Sequence, residues 1–238
     1  LNSRQVKFAG YLEGKRGLKR WQKPLLSLPA AIPLIAIMAG ETTMSLPLIG
    51  NVNFGILYPL LIVPIGIVGA SNMVNMLGGF NGLEAGMGLV YTTALGLYAY
   101  IHGNLIAVAI FWITASSLLA LLKYNFYPAK ILAGDSLTYA LGAVVACGAI
   151  LGNMEKASVI VMLPFIIQAL LKFYSRFKLG YFASDLGILT KNEKIKSKYK
   201  KIYSWTHLLM KLNLNEKQIV FGMILIQVFF ACMIFLLF

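Results

Sequence analysis

The feature that most constrains this chain is a series of long stretches that contain no charged residue. Seven occur, at 25–40, 54–70, 85–101, 105–122, 136–152, 157–171 and 218–238. About 17–25 helical residues cross the hydrocarbon core of a bilayer, where only a helix or a closed barrel satisfies the backbone. The pattern predicts a polytopic all-α membrane protein with about seven transmembrane helices. The first and sixth stretches are short, and the first contains Pro29 and Pro33, so we expect both to be kinked or shielded.

The composition excludes a water-soluble protein. Hydrophobic residues make up 59% of the chain and charged residues 12%, whereas soluble domains carry about 25% charge. Disordered and coiled-coil classes require still more polar residues. We therefore expect residues 1–238 to form a single membrane domain.

The basic residues predict the orientation. If the N-terminus is cytoplasmic, the segments 1–24, 71–84, 123–135 and 172–217 face the cytoplasm and hold 20 of the 21 Lys and Arg residues. Basic residues collect on the cytoplasmic side of membrane proteins, so segment 172–217 is predicted to be a long basic cytoplasmic loop. Its six lysines at 191–201 are expected to face anionic headgroups. A nucleic-acid partner is not expected.

The few acidic residues point to a site, because carboxylates at membrane depth are costly. Glu84 and Asp135 each begin an apolar helix on the predicted cytoplasmic side. The remaining six acids are predicted to lie in loops as solvated charges, at Glu13, Glu41, Glu155, Asp185, Glu193 and Glu216. His207 is expected to have a surface or structural role, and His102 to lie on the outer side.

Two polar segments accompany those carboxylates. Segment 71–86 contains three asparagines and four glycines around Glu84, and segment 124–136 contains Asn125, Lys130 and Asp135. Carboxylates, amides and glycine-rich turns can hold a magnesium–diphosphate group. A plain helix cap and a tight turn are the structural alternatives, and a small-solute transporter is the third functional class.

The amino-acid sequences of these two segments resemble motifs of a known family. The run from Asn72 through Asn75, Asn81 and Glu84 to Gly86 resembles one signature of the polyprenyl-phosphate N-acetylhexosamine-1-phosphate transferases, and the run 125–136 resembles another. The similarity is greatest to the dolichyl-phosphate GlcNAc branch of eukaryotes and archaea, and it covers about residues 8–238.

The resemblance implies a reaction and a set of site residues. It implies transfer of GlcNAc-1-phosphate from UDP-GlcNAc to a polyprenyl or dolichyl phosphate, with release of UMP and with Mg²⁺ or Mn²⁺ as the cofactor. By this resemblance Asn75 and Asp135 are the metal ligands and Asn81 contacts uridine. The other implied substrate-binding residues are Lys23 at the lipid phosphate, Arg176 and Lys178 at the diphosphate, and Asn72, Glu84, Asn125 and Lys130. A homodimer is the candidate assembly.

The chain departs from the family pattern at its beginning. The family has about ten spans, and the seven here correspond to the last seven, so an N-terminal part is expected to be missing. The family's paired aspartates fall at residues 10–14, where this chain has Glu13-Gly14. Glu13 is the candidate catalytic acid near the metal. The alternative is a truncated or inactive relative that binds lipid phosphate or a partner subunit. We expect an integral membrane protein whose active face is cytoplasmic. It would lie in the cell membrane of a prokaryote or in the endoplasmic reticulum of a eukaryote.

Overall fold

Helices form in all seven of the apolar stretches. The computed structural model describes residues 23–46, 50–190 and 192–237. A 3-10 helix at Lys23–Ala30 leads into α1 (Ala31–Ala36), and a π-helical segment at Tyr58–Ile62 leads into α2 (Val63–Asn75). The later helices are α3 (Leu83–Ile101), α4 (Leu105–Asn125), α5 (Asp135–Leu151), α6 (Glu155–Val161), α7 (Leu163–Leu179), α8 (Trp205–Met210) and α9 (Glu216–Leu237).

The helical class is as predicted, but seven membrane spans are not confirmed. Among the described residues, three helices are long and apolar enough to cross a membrane, namely Tyr58–Asn75, α4 and α9. Helices α6 and α7 make a fourth if they count as one span, which bends by 59° at its break. The predicted first span consists of the proline-containing 3-10 helix and the six residues of α1. An irregular helix was expected here because the stretch is short and contains Pro29 and Pro33.

Helix α3 lies in the middle of the bundle and explains part of this difference. It packs against α4 and α9, and ten of its residues are buried, including Gly86, Gly88, Thr92 and Gly96. Small residues allow close helix packing in membrane proteins. A Cβ atom at Gly96 would collide with the indole of Trp112 on α4. A helix enclosed by other helices in this way needs less hydropathy than one that faces lipid.

The connecting segments contain structure that the sequence did not predict. Strands β1 (Thr43–Leu46) and β2 (Gly50–Asn53) form an antiparallel hairpin between α1 and α2. Strands β3 (Ile188–Leu189) and β4 (Ile195–Lys196) form a second hairpin inside the predicted basic loop.

The start of that predicted loop was also placed too early. Helix α7 continues through Leu179 and ends at Gly180, which has a φ of 78°. Glycine adopts this left-handed conformation without steric cost and commonly ends helices. Residues 172–179 are therefore helical.

Candidate active site

Asn75 and Asp135, the two predicted metal ligands, meet in the structure. Asn75 ends α2 and Asp135 begins α5, and Asn75 Nδ2 donates to Asp135 Oδ1 at 3.1 Å. The same nitrogen donates to Thr138 Oγ1 at 2.8 Å, and the Thr138 hydroxyl donates to the main-chain carbonyl of Asp135 at 3.0 Å. Thr138 was missed by the sequence reasoning, although its position one helical turn after Asp135 places both on one face.

A close approach of α2 and α5 sets this meeting point. Gly142 lies one turn beyond Thr138, and a Cβ atom there would be 2.5 Å from the carbonyl carbon of Ala70 and in collision with Ser71 Cα. Only a residue without Cβ allows the two backbones to come this near. Ser71 in turn lies one turn before Asn75, so the glycine contact sets the register that pairs Asn75 with Asp135.

The two signature segments also touch at a second point. Gly82, with a φ of 83°, faces Phe126 so closely that a Cβ atom would lie 2.8 Å from Phe126 Cδ2. Asn125 is buried, and its Nδ2 donates to the carbonyl of Ile131 at 2.9 Å. The structure therefore uses the Asn125 amide to close the loop that follows α4, rather than exposing it to solvent.

The loop between α2 and α3 is folded around Glu84. Glu84 Oε1 accepts the N–H of Gly79 at 2.7 Å, and a Cβ atom at Gly78 would collide with the same oxygen. Gly79 has a φ of 100°, which an L-residue with a side chain rarely adopts. On α2, Asn72 Nδ2 donates to the carbonyl of Val68 at 2.6 Å. Both predicted substrate-binding residues thus also shape the local backbone.

The first turn of α9 contacts both signature segments. Glu216 Oε1 accepts the backbone N–H of Asn81 at 2.9 Å, and Lys217 Nζ lies 4.9 Å above the centre of the Tyr127 ring. A carboxylate in the first turn of a helix is also favoured by the helix dipole. Glu216 was expected to be a solvated loop charge, and it is instead half-buried against the Asn81 backbone.

Asp185 was likewise expected to be solvated, and the structure contradicts this. Its side chain is 9% exposed, and Oδ1 lies 2.7 Å from Lys172 Nζ, whose side chain is 7% exposed. Gln168 Nε2 donates to the same oxygen at 2.8 Å, and Lys172 Nζ donates to the carbonyl of Ala183 at 2.6 Å. Buried charges persist when they are paired and hydrogen-bonded, and this pair holds the segment after α7 against that helix.

His207 has the structural role that was expected. It is buried, its Nδ1 accepts the N–H of Tyr203 at 3.2 Å, and its Nε2 therefore donates to the carbonyl of Ser184 at 2.8 Å. Desolvation lowers the pKa of His207 below its ordinary value, and this outweighs the effects of its hydrogen bond to Ser184 and of nearby Asp185. The ring is neutral near pH 7 and fastens α8 to the segment after α7.

The predicted basic residues that the structure describes are exposed. Lys130 is exposed at the loop after α4. Arg176 Nη1 donates to the carbonyl of Gly180 at 2.8 Å, and Lys178 Nζ lies 5.6 Å from the Phe177 ring centre. Both are exposed near the end of α7. Glu13 and the side chain of Lys23 lie outside the described residues, so their roles stay predictions.

The donor set at Asn75 and Asp135 suits a hard cation. Carboxylate and amide oxygens are typical ligands of Mg²⁺ and Mn²⁺. Since Asn75 Nδ2 makes two hydrogen bonds, the Oδ1 atom is the one with which this side chain would bind a cation. Within residues 23–46, 50–190 and 192–237, no three His, Cys, Asp or Glu side chains form a metal-binding group. A cation here would rely on this pair together with substrate phosphates.

Comparison with known proteins agrees with the signature segments. The profile of glycosyl transferase family 4 matches residues 4–153. A Sulfolobus acidocaldarius protein is 36% identical over 236 residues, which cover 97% of this chain and 70% of that protein. A Saccharolobus solfataricus protein is 34% identical, covering 92% and 68%. Both carry the provisional name UDP-N-acetylglucosamine–dolichyl-phosphate N-acetylglucosaminephosphotransferase.

A bacterial relative extends the comparison. The phospho-N-acetylmuramoyl-pentapeptide-transferase of Clostridium perfringens is 31% identical over 175 residues, which cover 68% of this chain and 55% of that enzyme. The resemblance inferred from residues 72–86 and 125–136 is thereby confirmed.

Proposed function

The chain belongs to glycosyl transferase family 4, and on this premise we propose that it transfers GlcNAc-1-phosphate from UDP-GlcNAc to a dolichyl-type polyprenyl phosphate. The observation that carries the proposal is the Asn75–Asp135 pair, which joins the two signature segments at one point. Support for the choice of substrates comes from the two archaeal relatives, which are named for this reaction.

The proposed step is a phosphoryl transfer. An oxygen of the lipid phosphate attacks the phosphorus that bears the sugar, that phosphorus loses its bond to the bridging oxygen of UMP, and UMP leaves with the bond electrons. Such transfers depend on alignment and on stabilising the charge of the phosphate oxygens. A bound Mg²⁺ or Mn²⁺ would supply that charge stabilisation. Asp135 Oδ and Asn75 Oδ1 would hold it, and the Thr138 hydroxyl would keep the Asn75 amide oriented.

An apolar groove supports a lipid acceptor. It has a volume of about 360 Å³ and is bounded by α2, α5 and the bent pair α6–α7. Its lining includes Ile65, Met73, Val145, Val159 and Ile166. Met73 lies about 3 Å from Asn75 along the axis of α2, so the groove extends to the depth of the Asn75–Asp135 pair. Because the prenyl chain would come from the hydrocarbon core and not from water, the groove would hold it through van der Waals packing.

The same geometry suggests where the nucleotide binds. The first turn of α9 contacts both the loop that carries Asn81 and the loop that carries Tyr127 and Lys130, and these two loops adjoin Asn75 and Asp135 in the chain. We assign Lys23, Arg176 and Lys178 to the phosphates, with Glu13 near the metal, as the family resemblance implies. The concentration of Lys and Arg in these segments favours a cytoplasmic active face.

A catalytically inactive relative is the second candidate. It is favoured by Glu13-Gly14, which stands where the family has paired aspartates. Such a protein would bind lipid phosphate or a partner subunit without turnover. Binding of polyprenyl phosphate with no release of UMP would identify it.

The test is transfer of radiolabel from UDP-GlcNAc to polyprenyl phosphate in membranes that contain this chain and Mg²⁺. Asp135→Asn should reduce transfer by at least about 100-fold, because a charge-stabilising group at the phosphates is lost. Glu41→Gln removes an exposed carboxylate near the β1–β2 hairpin and should leave transfer unchanged. Equal transfer by wild type and Asp135→Asn would refute the assignment of Asp135.

A further inference from the structure

One buried glutamine joins the segment after α7 to the loop between α2 and α3, residues 76–82, which we call the signature loop. We call residues 181–190 and 192–207 the strap. The Gln168 side chain is fully buried on α7, and its Nε2 lies 3.3 Å from the carbonyl oxygen of Met76, 2.8 Å from Asp185 Oδ1 and 3.2 Å from Ser204 Oγ. Its Oε1 accepts the N–H of Trp205 at 3.1 Å.

Gln168 therefore contacts both ends of the strap and the loop between α2 and α3. Met76 follows Asn75 directly in the chain, so its carbonyl is one peptide away from the proposed metal ligand. Leu186 of the strap adds a second contact, since a Cβ atom at Gly79 would lie 3.3 Å from Leu186 Cδ2. The strap and the signature loop are thus in contact, and the Gln168 side chain forms hydrogen bonds with both of them.

The strap itself is fixed to α7 by a separate set of bonds. Lys172 of α7 pairs with Asp185 of the strap, and Thr206 Oγ1 joins two parts of the strap by donating to the main-chain carbonyl of Asp185 at 2.8 Å. Ser175 Oγ accepts the N–H of Ala183 at 2.9 Å. These bonds do not involve the signature loop, so only the Met76 bond of Gln168 links the two by a described side-chain hydrogen bond.

We infer that Gln168 is a positioning residue, which sets the distance between the strap and the loop that follows Asn75 and carries Asn81. This inference rests on the proposed function, because the loop is assigned to the nucleotide. Loss of the Met76 bond should loosen the loop and weaken nucleotide binding, while the Asn75–Asp135 pair keeps its own contacts to Thr138 and α5.

Two variants separate this role from a purely structural one. Gln168→Glu removes the donor to Met76 and places a carboxylate beside Asp185, so it should disturb both the loop and the strap. Combining it with Asp185→Asn exchanges the amide and the carboxylate between the two positions. The bond between them is then kept, and Lys172 has a carboxylate four residues before it on its own helix, which is a favourable spacing. The Met76 carbonyl still lacks its donor.

The primary measurement is amide hydrogen exchange of the full chain in lipid nanodiscs. With Gln168→Glu alone, peptides from 76–82 and 181–190 should both exchange faster, on the order of fivefold for a lost hydrogen bond. The double variant should return 181–190 to wild-type rates while 76–82 stays fast. In the transfer assay, both variants should raise KM for UDP-GlcNAc on the order of fivefold, with kcat within about twofold.

Gln227→Glu is the matched control. Gln227 is another buried glutamine, on α9. Its Nε2 donates to the main-chain carbonyl of Val161 on α6 at 2.9 Å. Its variant should lower the melting temperature and leave exchange of 76–82 and KM as in wild type.

Wild-type exchange of 76–82 in Gln168→Glu would overturn the inference, as would recovery of both segments in the double variant. Absence of turnover by the wild type is a different result, because it would speak against the proposed transfer, while the exchange rates would still decide the positioning role.

Discussion

Replacement of Gly142 by alanine tests how packing creates the site. The added Cβ would lie 2.5 Å from the carbonyl carbon of Ala70. Non-bonded carbons prefer about 3.5–4.0 Å, so α2 and α5 must separate by about 1 Å or more. That movement would lengthen the bonds of 2.8 and 3.1 Å from Asn75 to Thr138 and Asp135 beyond hydrogen-bonding distance.

The expected cost follows from these contacts. Overpacking of a well-packed interior costs about 1–3 kcal/mol, and each lost hydrogen bond adds about 1 kcal/mol. For a protein of this size each kcal/mol lowers Tm by about 2–4 °C. With two bonds lost the total is about 3–5 kcal/mol, so Gly142→Ala should lower Tm by about 6–20 °C. It should also reduce transfer more than its effect on folding explains, because the proposed metal ligands separate.

Gly69→Ala on α2 is the matched control for thermal unfolding in detergent. UMP release by Gly142→Ala is compared with wild type, because Gly69 lines the proposed lipid groove. A Cβ at Gly69 would have nothing within 4 Å, and alanine favours a helix over glycine by up to about 1 kcal/mol. This variant should keep or raise Tm. If Gly142→Ala retained wild-type Tm and transfer, or if both variants lost the same amount, the register argument would be refuted.

Two further predictions concern the loop and the strap. Gly78→Ala should displace Glu84 from the Gly79 N–H and lower stability by about 1.5–3 kcal/mol, the value of a bond to a charged group. Gly66→Ala inside α2, where nothing lies within 4 Å of a Cβ, should keep or raise Tm because alanine favours a helix over glycine. Equal Tm values for the two variants would contradict this account. Because burial lowers the folded-state pKa of His207, the unfolded chain binds the proton more readily. Stability should be complete above about pH 6.5 and should fall as the pH drops from there toward the folded-state pKa. His207→Gln should remove this slope between pH 8 and 5, and a wild-type Tm no steeper than that of the variant would show the sign to be wrong.

Much of the helical framework could be predicted from the sequence. Uncharged stretches of bilayer length require helices because lipid offers no hydrogen-bonding partner to the backbone. The break in the sixth stretch was also predictable, since Pro164 is in the first turn of α7 and lacks the N–H that would continue α6. Whether a helix faces lipid or other helices could not be predicted, and α3 shows the consequence, because its hydropathy reflects burial in protein.

The candidate site was predictable in its residue types but not in its contacts. Asn75 and Asp135 stand out because polar groups are rare at membrane depth. Asp185 and Lys172 gave no such signal, since they lie in a stretch rich in lysine where solvated charge is the ordinary expectation. Their pairing depends on α7 continuing past residue 171 and on the strap folding back along it.

By itself, the sequence determined the helical class, the positions of the helices and the two polar segments with their chemistry. Only the tertiary structure decided that Asn75 meets Asp135, that Gly142 sets their register and that Gln168 joins the strap to the signature loop. The physical reason is distance along the chain. Apolar length and local spacing act on neighbouring residues, whereas these contacts join positions as far apart as 60 residues for Asn75–Asp135 and 92 for Gln168–Met76. Such pairings arise only when side-chain volumes and backbone approach are satisfied together in the packed bundle.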